Sequence, residues 1–493
     1  MARIIGIDLG TSSVKALLLE DGAIIDSKSA SYTPDYPDQG FVEQDPAIWW
    51  DSTVKVLKAL IDANPSARGN IAAIACSGQM HSSVFLDSNN DVVRKAILWN
   101  DTRTAKQTKD ILKAIGGEAE LLKHVYNRSL EGFTLPKILW LRDNEPENFR
   151  KTKKVIMPKD YINFMLTGKI ATEVSDAAGT ILLDVKSKQW SAAMLKALDL
   201  DPGLLPEVLE STDVVGNVKE DLAKSLGTGA SKVVAGGADN SCAAIGNGLV
   251  KEGQTVISVG TSGTVVSVLE DIRAEVTGDV HLFNYSAKGK YYAMGCMLSA
   301  GDCLSWLKSI LSGSSFKDFD QMAEAAPPGS KGLIFLPYLS GERCPFSDPD
   351  VRGVFFGLSA HTKTNEMVRA VLEGVAFNIR AMFELVSSFT EIGQILITGG
   401  GAASPIWRQI IADVLNRPLS VLNIEEGPAF GAAMIAAVGA GLYDSFEAAE
   451  DGLLKTVIEV VPQPNPIYEN QYKVFTELYA QTKQLFPMIH QVR

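Results

Sequence analysis

Ile7-Asp8-Leu9-Gly10-Thr11-Ser12 stands near the start of the chain, and Ile257-Ser258-Val259-Gly260-Thr261-Ser262 repeats it just past the middle. Each copy follows an apolar run with strand character, Ile4 to Ile7 in the first and Thr255 to Val259 in the second. Gly-Thr-Ser then supplies free backbone N–H groups and hydroxyls where the chain must turn tightly, a means of holding phosphate oxygens. One such turn is a weak signal, because hairpins use the same residues for geometry alone. Two copies, one per half, point to two similar lobes facing each other across a cleft. Only the first copy has an acid before its glycine, Asp8 against Ser258. A metal ion would therefore belong to one side of that cleft.

At 493 residues the chain exceeds the size at which a single hydrophobic core stops growing, so two domains of similar size are expected. Gly246, Gly248 and Gly253 cluster just before the second loop as a candidate hinge, which divides the chain into 1–247 and 248–493. The net charge of −12 argues against sequence-independent binding to nucleic acid or an anionic membrane, since both need basic surface. It leaves room for a nucleotide, which backbone amides and a metal can hold. Cys76, Cys242, Cys296, Cys303 and Cys344 are scattered, form no C-x-x-C pair and read as reduced, mostly buried thiols. Met1-Ala2-Arg3 runs straight into a strand-like segment with no space for a signal peptide, and no stretch of eighteen apolar residues occurs. A cytoplasmic protein without a membrane span is expected.

The first lobe opens with strand patterns at Ile4 to Ile7, Val14 to Leu19 and Ala23 to Ser29, followed by helical periodicity from Pro46 to Ala63. Ile71 to Cys76 reads as a buried strand, which places Ser77-Gly78-Gln79-Met80-His81 at a strand end, where open α/β sheets bind ligands. Residues from about Ala105 to Leu226 are more polar and helix-rich, an elaboration of the first lobe. Further on come helical patterns at Leu298 to Leu311, Glu366 to Ser387 and Pro405 to Asn416, and an amphipathic helix over the last thirty or so residues.

Gly399-Gly400-Gly401-Ala402-Ala403-Ser404 lies between a strand and a helix, and is either a packing turn or a place where a nucleotide approaches the backbone. Ser404 stands where a dinucleotide fingerprint needs its third glycine, and no G-x-x-x-x-G-K-[ST] segment occurs, so dehydrogenase and P-loop readings lose support. Asp239, after Gly236-Gly237-Ala238, is either a helix N-cap or a general base facing the cleft. His81 is open to a structural hydrogen-bonding or a catalytic reading, and no metal-ligand spacing joins it to the other histidines. Trp99-Asn100-Asp101-Thr102-Arg103 is either a capped helix start with an ion pair or a substrate-lining cluster.

Gly132-Phe133-Thr134-Leu135-Pro136-Lys137-Ile138-Leu139-Trp140-Leu141-Arg142-Asp143-Asn144 resembles the first signature of the FGGY carbohydrate kinases, a branch of the actin-like ATPase superfamily. Gly353-Val354-Phe355-Phe356-Gly357-Leu358, continuing through Glu366 to Glu373, resembles the second. With the loops, these motifs cover nearly the whole chain. Gly78 to His81, Leu98 to Asp101 and Met157 to Tyr161 are similar to the members that act on D-xylulose. The members that act on glycerol carry Arg-Glu where Met80-His81 stand, whereas Cys344 departs from the threonine common in the D-xylulose group.

The resemblance implies an α/β fold of two actin-like (ribonuclease H-like) ATPase lobes with a cleft between them. It implies ATP-dependent phosphorylation of D-xylulose at its C5 hydroxyl, with Asp239 as general base and Asp8 positioning Mg²⁺. Met80, His81 and Asn240 would line the sugar site, with Asp101 beside them. Thr11, Ser12 and Lys15 would approach the transferring phosphate, Gly260 and Thr261 would hold nucleotide phosphates, and Gly301, Gly400, Gly401 and Ala402 would border the adenosine. The partners implied are a small sugar and ATP, with no nucleic acid and no membrane, and a homodimer is common in the family. Two alternatives stay open: a kinase for D-ribulose, L-ribulose, xylitol or a related polyol, and a nucleotide switch of the actin or chaperone type. Asp239 and the Met80-His81 pair weigh against the switch, which has no use for a sugar-hydroxyl base.

Overall fold

The computed structural model describes residues 2–311, 314–422, 427–450 and 456–490. Two large sheets organise it. The first holds β1 (Arg3–Leu9), β2 (Ser13–Glu20), β3 (Ala23–Ser31), β4 (Ala73–Gly78), β5 (Val214–Asn217) and β6 (Lys232–Ala238), in the order β5-β6-β4-β1-β2-β3. The second holds β7 (Thr255–Val259), β8 (Gly263–Leu269), β9 (His281–Asn284), β10 (Tyr291–Met297), β11 (Ile395–Thr398), β12 (Leu419–Leu422) and β13 (Thr456–Val460). Their order is β9-β10-β8-β7-β11-β12-β13.

The two sheets share one plan. β1 pairs antiparallel with β2 and parallel with β4, and β7 does the same with β8 and β11. Each sheet thus contains a ribonuclease H-like core, to which β5, β9 and β13 are added at the edges. Each Gly-Thr-Ser copy is the three-residue link of a hairpin, between Leu9 and Ser13 and between Val259 and Gly263.

β1 is buried on both faces, which is why it reads as a continuous apolar run. Ile5, Ile7 and Leu9 pack in one cluster with Trp49, Leu57 and Leu60 from the helix Pro46–Ala63. That helix starts where the sequence places it, because Asp45 accepts the Ala47 N–H at 2.9 Å and Pro46 occupies the first turn. The opposite face of β1 meets the helix Gly427–Gly439, so closely that a Cβ on Gly6 would lie 2.0 Å from the Ala429 carbonyl oxygen.

This helix lies between β12 and β13 of the second sheet in the chain yet packs on the first sheet. It also crosses the helix Asp239–Gly246 backbone to backbone: a Cβ on Gly431 would lie 1.8 Å from Cys242 O, and one on Gly246 2.0 Å from Gly427 O. The glycines are what permit the crossing, which packs a helix from the second half of the chain against one from the first. The terminal helix is Pro466–Thr482, with Tyr468, Tyr472, Phe475 and Leu478 on its buried side, followed by shorter helical turns rather than one continuous helix. Among the described residues, no helix is long and apolar enough to cross a membrane.

Candidate active site

β6 runs on through Gly236 and Gly237. A bulge at Gly236, whose φ is +81°, keeps the chain in the sheet as far as Ala238. A Cβ on Gly236 would stand 2.0 Å from Cys76 O, so only glycine fits this close approach to β4. The consequence falls on Asp239. Ala238 is the cap and Asp239 the first helical residue, which removes the N-cap reading.

The half-buried Asp239 carboxylate accepts both the Asn240 N–H (2.7 Å) and Asn240 Nδ2–H (3.0 Å) on Oδ1. Burial pushes its pKa up to about 7, aided by the negative charge of Asp8 and opposed by N–H donors from Asn240 and Met80. Asp8 pairs across the hairpin with Lys15. The structure thus brings Asp8, Lys15, Asp239 and Asn240 to the carboxyl ends of β1 and β6, together with Met80, whose sulfur receives Asn240 Nδ2 at 3.7 Å and Tyr292 OH at 3.8 Å.

His81 has a φ of +67°, a conformation few non-glycine residues adopt without support. The support comes from the first signature: Thr134 Oγ1 and Lys137 Nζ both donate to the His81 carbonyl, at 3.0 and 2.9 Å. Burial lowers the His81 pKa to about 3, so the ring is neutral, and its Nδ1–H donates to Gly179 O at 2.7 Å. Nε2 is left as a hydrogen-bond acceptor. Lys137 is itself fully buried, and its ammonium is spent on the carbonyls of His81 and Gly132.

Asp101 stands differently from the other candidates. Its carboxylate is fully buried, takes the Arg103 guanidinium at 2.7 Å and accepts the Val42 N–H at 2.6 Å. The ion-pair alternative describes it. Its neighbour Trp99 faces the cleft instead, and its Nε1–H donates to Thr11 Oγ1 of the first hairpin loop at 2.9 Å. Ser12 is exposed at the tip of that loop.

Beneath Asp239 lies a buried ionic cluster that sequence reading missed. Lys159 is fully buried with its ammonium 2.5 Å from Asp160, 3.4 Å from Glu173 and 3.5 Å from Asp176. Glu173 in turn accepts Ser175 Oγ–H at 2.8 Å, and Ser175 Oγ accepts the N–H of Ala238 at 3.0 Å, one residue before Asp239. Ser286, from the second lobe, donates to the same Ser175 oxygen at 3.3 Å.

In the second lobe a pocket of about 620 Å³ is lined by Gly260, Thr261, Gly301, Gly400 and Gly401, with Phe316, Lys317 and Trp407. Its size suits a nucleotide. A Cβ on Gly400 would meet nothing within 4 Å, so packing leaves that face of the backbone open to a ligand. Gly301 instead lets the loops meet, since its Cβ would lie 2.6 Å from Gly260 O. Ala402 does not line this pocket. The turn Gly400–Ala403 is a tight 3₁₀ helix that turns Ala402 inward and puts Ala403 at the lining.

Two ribonuclease H-like lobes, each offering a glycine hairpin to the cleft, with a nucleotide-sized pocket on one side and a carboxylate of raised pKa on the other, define an actin-like phosphotransferase. The FGGY carbohydrate kinase N-terminal domain matches residues 3–246, and the C-terminal domain matches residues 255–440. The chain belongs to the FGGY family of carbohydrate kinases. It is 44% identical to a xylulose kinase of Lactococcus lactis over 493 residues, covering 98% of each chain. Among solved structures, a ligand-bound xylulose kinase from Lactobacillus acidophilus superposes with a TM-score of 0.93 at 28% identity, covering 99% of this chain and 100% of that one. A gluconate kinase from the same organism gives the same TM-score and identity, covering 99% of each chain. Backbone likeness alone therefore does not choose the sugar.

Proposed function

We propose that this kinase transfers the γ-phosphoryl group of ATP to the C5 hydroxyl of D-xylulose, giving D-xylulose 5-phosphate and ADP. The observation that carries the chemistry is Asp239, a half-buried carboxylate poised near pH 7 at the end of β6 beside Met80 and Asn240. The full-length likeness to xylulose kinases supports the choice of sugar over gluconate and the other polyols.

In this reading Asp239 accepts the C5 hydroxyl proton as that oxygen bonds to the γ-phosphorus, and the bond from phosphorus to the β,γ-bridging oxygen breaks to release ADP. Asn240 fixes the carboxylate plane through its two N–H bonds. Met80, His81 and Asn240 line the sugar, with the neutral His81 accepting a hydrogen bond from a sugar hydroxyl at Nε2. Thr11, Ser12 and Lys15 meet the transferring group from the first lobe; Gly260 and Thr261 hold the remaining phosphates, and Gly301, Gly400 and Gly401 border the adenosine. We take 1–247 as the sugar-binding lobe and 248–493 as the nucleotide-binding lobe, whose closure aligns the reactants and excludes water.

Among the described residues, no group of three or more His, Cys, Asp or Glu side chains is placed to hold a metal. Asp8 and Asp239, two carboxylates close enough to repel, suit a Mg²⁺ ion that keeps waters and binds the phosphates as well. Asp8 would hold it, and when bound it would neutralise phosphate charge.

The test is product formation from D-xylulose and ATP across pH 5 to 9, with the phosphate position read by ³¹P NMR. The product should carry phosphate at C5. Asp239 is protonated below about pH 7 and then cannot act as a base, so kcat/KM should fall below that pH, towards tenfold per unit. A profile flat down to pH 5, or phosphate on another carbon, would overturn the assignment.

A further inference from the structure

Between the lobes, beside the sugar side of the cleft, lies a second pocket of about 460 Å³. Trp99, Asn100 and Gly132 contribute from the first lobe, and Leu298 and Arg343 from the second. Arg343 is its only cationic lining residue among those described. Its backbone is rigidly held. The buried Glu342 carboxylate accepts the N–H of Arg343 at 2.8 Å, that of Leu298 at 2.9 Å and Asn378 Nδ2–H at 3.1 Å. Burial raises the Glu342 pKa to about 8, and the backbone N–H groups of Arg343, Leu298 and Cys344 oppose that rise.

From this anchor the half-buried side chain reaches across to the first lobe. Its Nη2 comes within 4.0 Å of the point a Cβ on Gly132 would occupy. Among the described residues the guanidinium forms no ion pair and no hydrogen bond; the residue's own bond is the backbone one to Glu342. Its charge is nevertheless felt at His81 and His281, where it adds to the lowering that burial causes, and at Glu131, where it opposes the rise that burial causes. The guanidinium therefore stands over the sugar side of the cleft.

A half-buried guanidinium without a partner is costly unless a ligand supplies one. We propose that Arg343 is a specificity-determining residue: a second-lobe donor whose planar N–H groups bind oxygens of the open-chain sugar at the end remote from the reacting hydroxyl. This rests on the sugar-kinase reading above. The sugar is then read by both lobes. The first supplies Met80, His81 and Asn240, and the second supplies Arg343 as the cleft closes. A fork of N–H donors at fixed geometry matches adjacent hydroxyl and carbonyl oxygens, which an ammonium in its place would match less well.

The experiment is steady-state kinetics of Arg343→Ala and Arg343→Lys with D-xylulose and ATP, with Tm measured for each and guanidinium chloride added back at millimolar concentration. Arg343→Ala should raise the KM for the sugar about 10- to 100-fold, the scale of a lost charged hydrogen bond, with the KM for ATP within about twofold. Arg343→Lys should lie between, and added guanidinium should restore part of the sugar affinity of the Ala variant. A sugar KM within about twofold of wild type, or equal losses for both substrates with a lowered Tm and no rescue, would overturn the role. If the wild type itself showed no sugar-dependent ADP release, the sugar-kinase reading would fail and take this assignment with it.

Discussion

Asp239→Asn should bind ATP as the wild type does and lose turnover by about 10²- to 10⁴-fold, the contribution of a positioned general base. The same variant should be more heat-stable than the wild type at pH 8. Folding lifts the Asp239 pKa from its ordinary 3.8 to about 7. As pH rises from about 4 to 7 the unfolded chain gives up its proton first, so wild-type stability falls across that window and the full cost is present above it. Asparagine carries no such charge. The gain at pH 8 should be on the order of 1 kcal/mol and should vanish near pH 4. Calorimetric ATP binding and thermal unfolding at the two pH values read both arms. Retention of most of the turnover would remove Asp239 from the chemistry, and a lower Tm at pH 8 would remove the account of its raised pKa.

Lys159→Met should be the most damaging single change to stability. It leaves the buried carboxyls of Asp160, Glu173 and Asp176 without their cation, and breaking a buried pair in this way costs about 3–5 kcal/mol. Methionine replaces the volume but not the charge. The loss should be smaller at pH 5 than at pH 8, because the orphaned carboxyls are protonated more readily at the lower pH; burial already raises the pKa of both Asp160 and Asp176. Activity should fall with stability, since Glu173 holds Ser175 and Ser175 holds the N–H of Ala238, the residue before Asp239. Thermal unfolding at the two pH values tests this. A variant as stable as wild type at pH 8 would show that the cluster does not depend on Lys159.

The sequence was most legible where one local rule dominated. The repeated hairpin loops, the doubly buried β1 and the capped helix Pro46–Ala63 each carry their own signal in spacing or in a cap. Asp239 was visible as a strand-end acid, although the bulge at Gly236 that lengthens β6 and places it at the first helical position was not. Long-range pairing left less trace. Lys159, Asp160, Glu173 and Asp176 lie in a polar, helix-rich stretch where charges read as surface, and only the fold converts them into a buried cluster. Lys137 was hidden for a related reason, as one cation in an apolar signature helix.

The helix Gly427–Gly439 shows small-residue helical character plainly, but nothing in its composition says that it packs on the first sheet rather than on the second. Ala402 and Ala403 exchange places because a 3₁₀ turn advances side chains differently from the helix that follows it. Arg343 lies in a segment remarked on only for Cys344. The signal that could have found it is an arginine next to an acid in a loop rich in glycine and proline, too common a pattern to single out.

The central claim is tested most directly by ADP release with Mg-ATP across D-xylulose, D-ribulose, L-ribulose, L-xylulose, glycerol, gluconate and xylitol, with a no-sugar control. The account predicts sugar-dependent release with a clear kcat/KM preference for D-xylulose. Preference for another sugar in the panel would contradict the pocket assignment while keeping Asp239 and the two lobes, and release that no sugar changes would contradict the kinase reading itself.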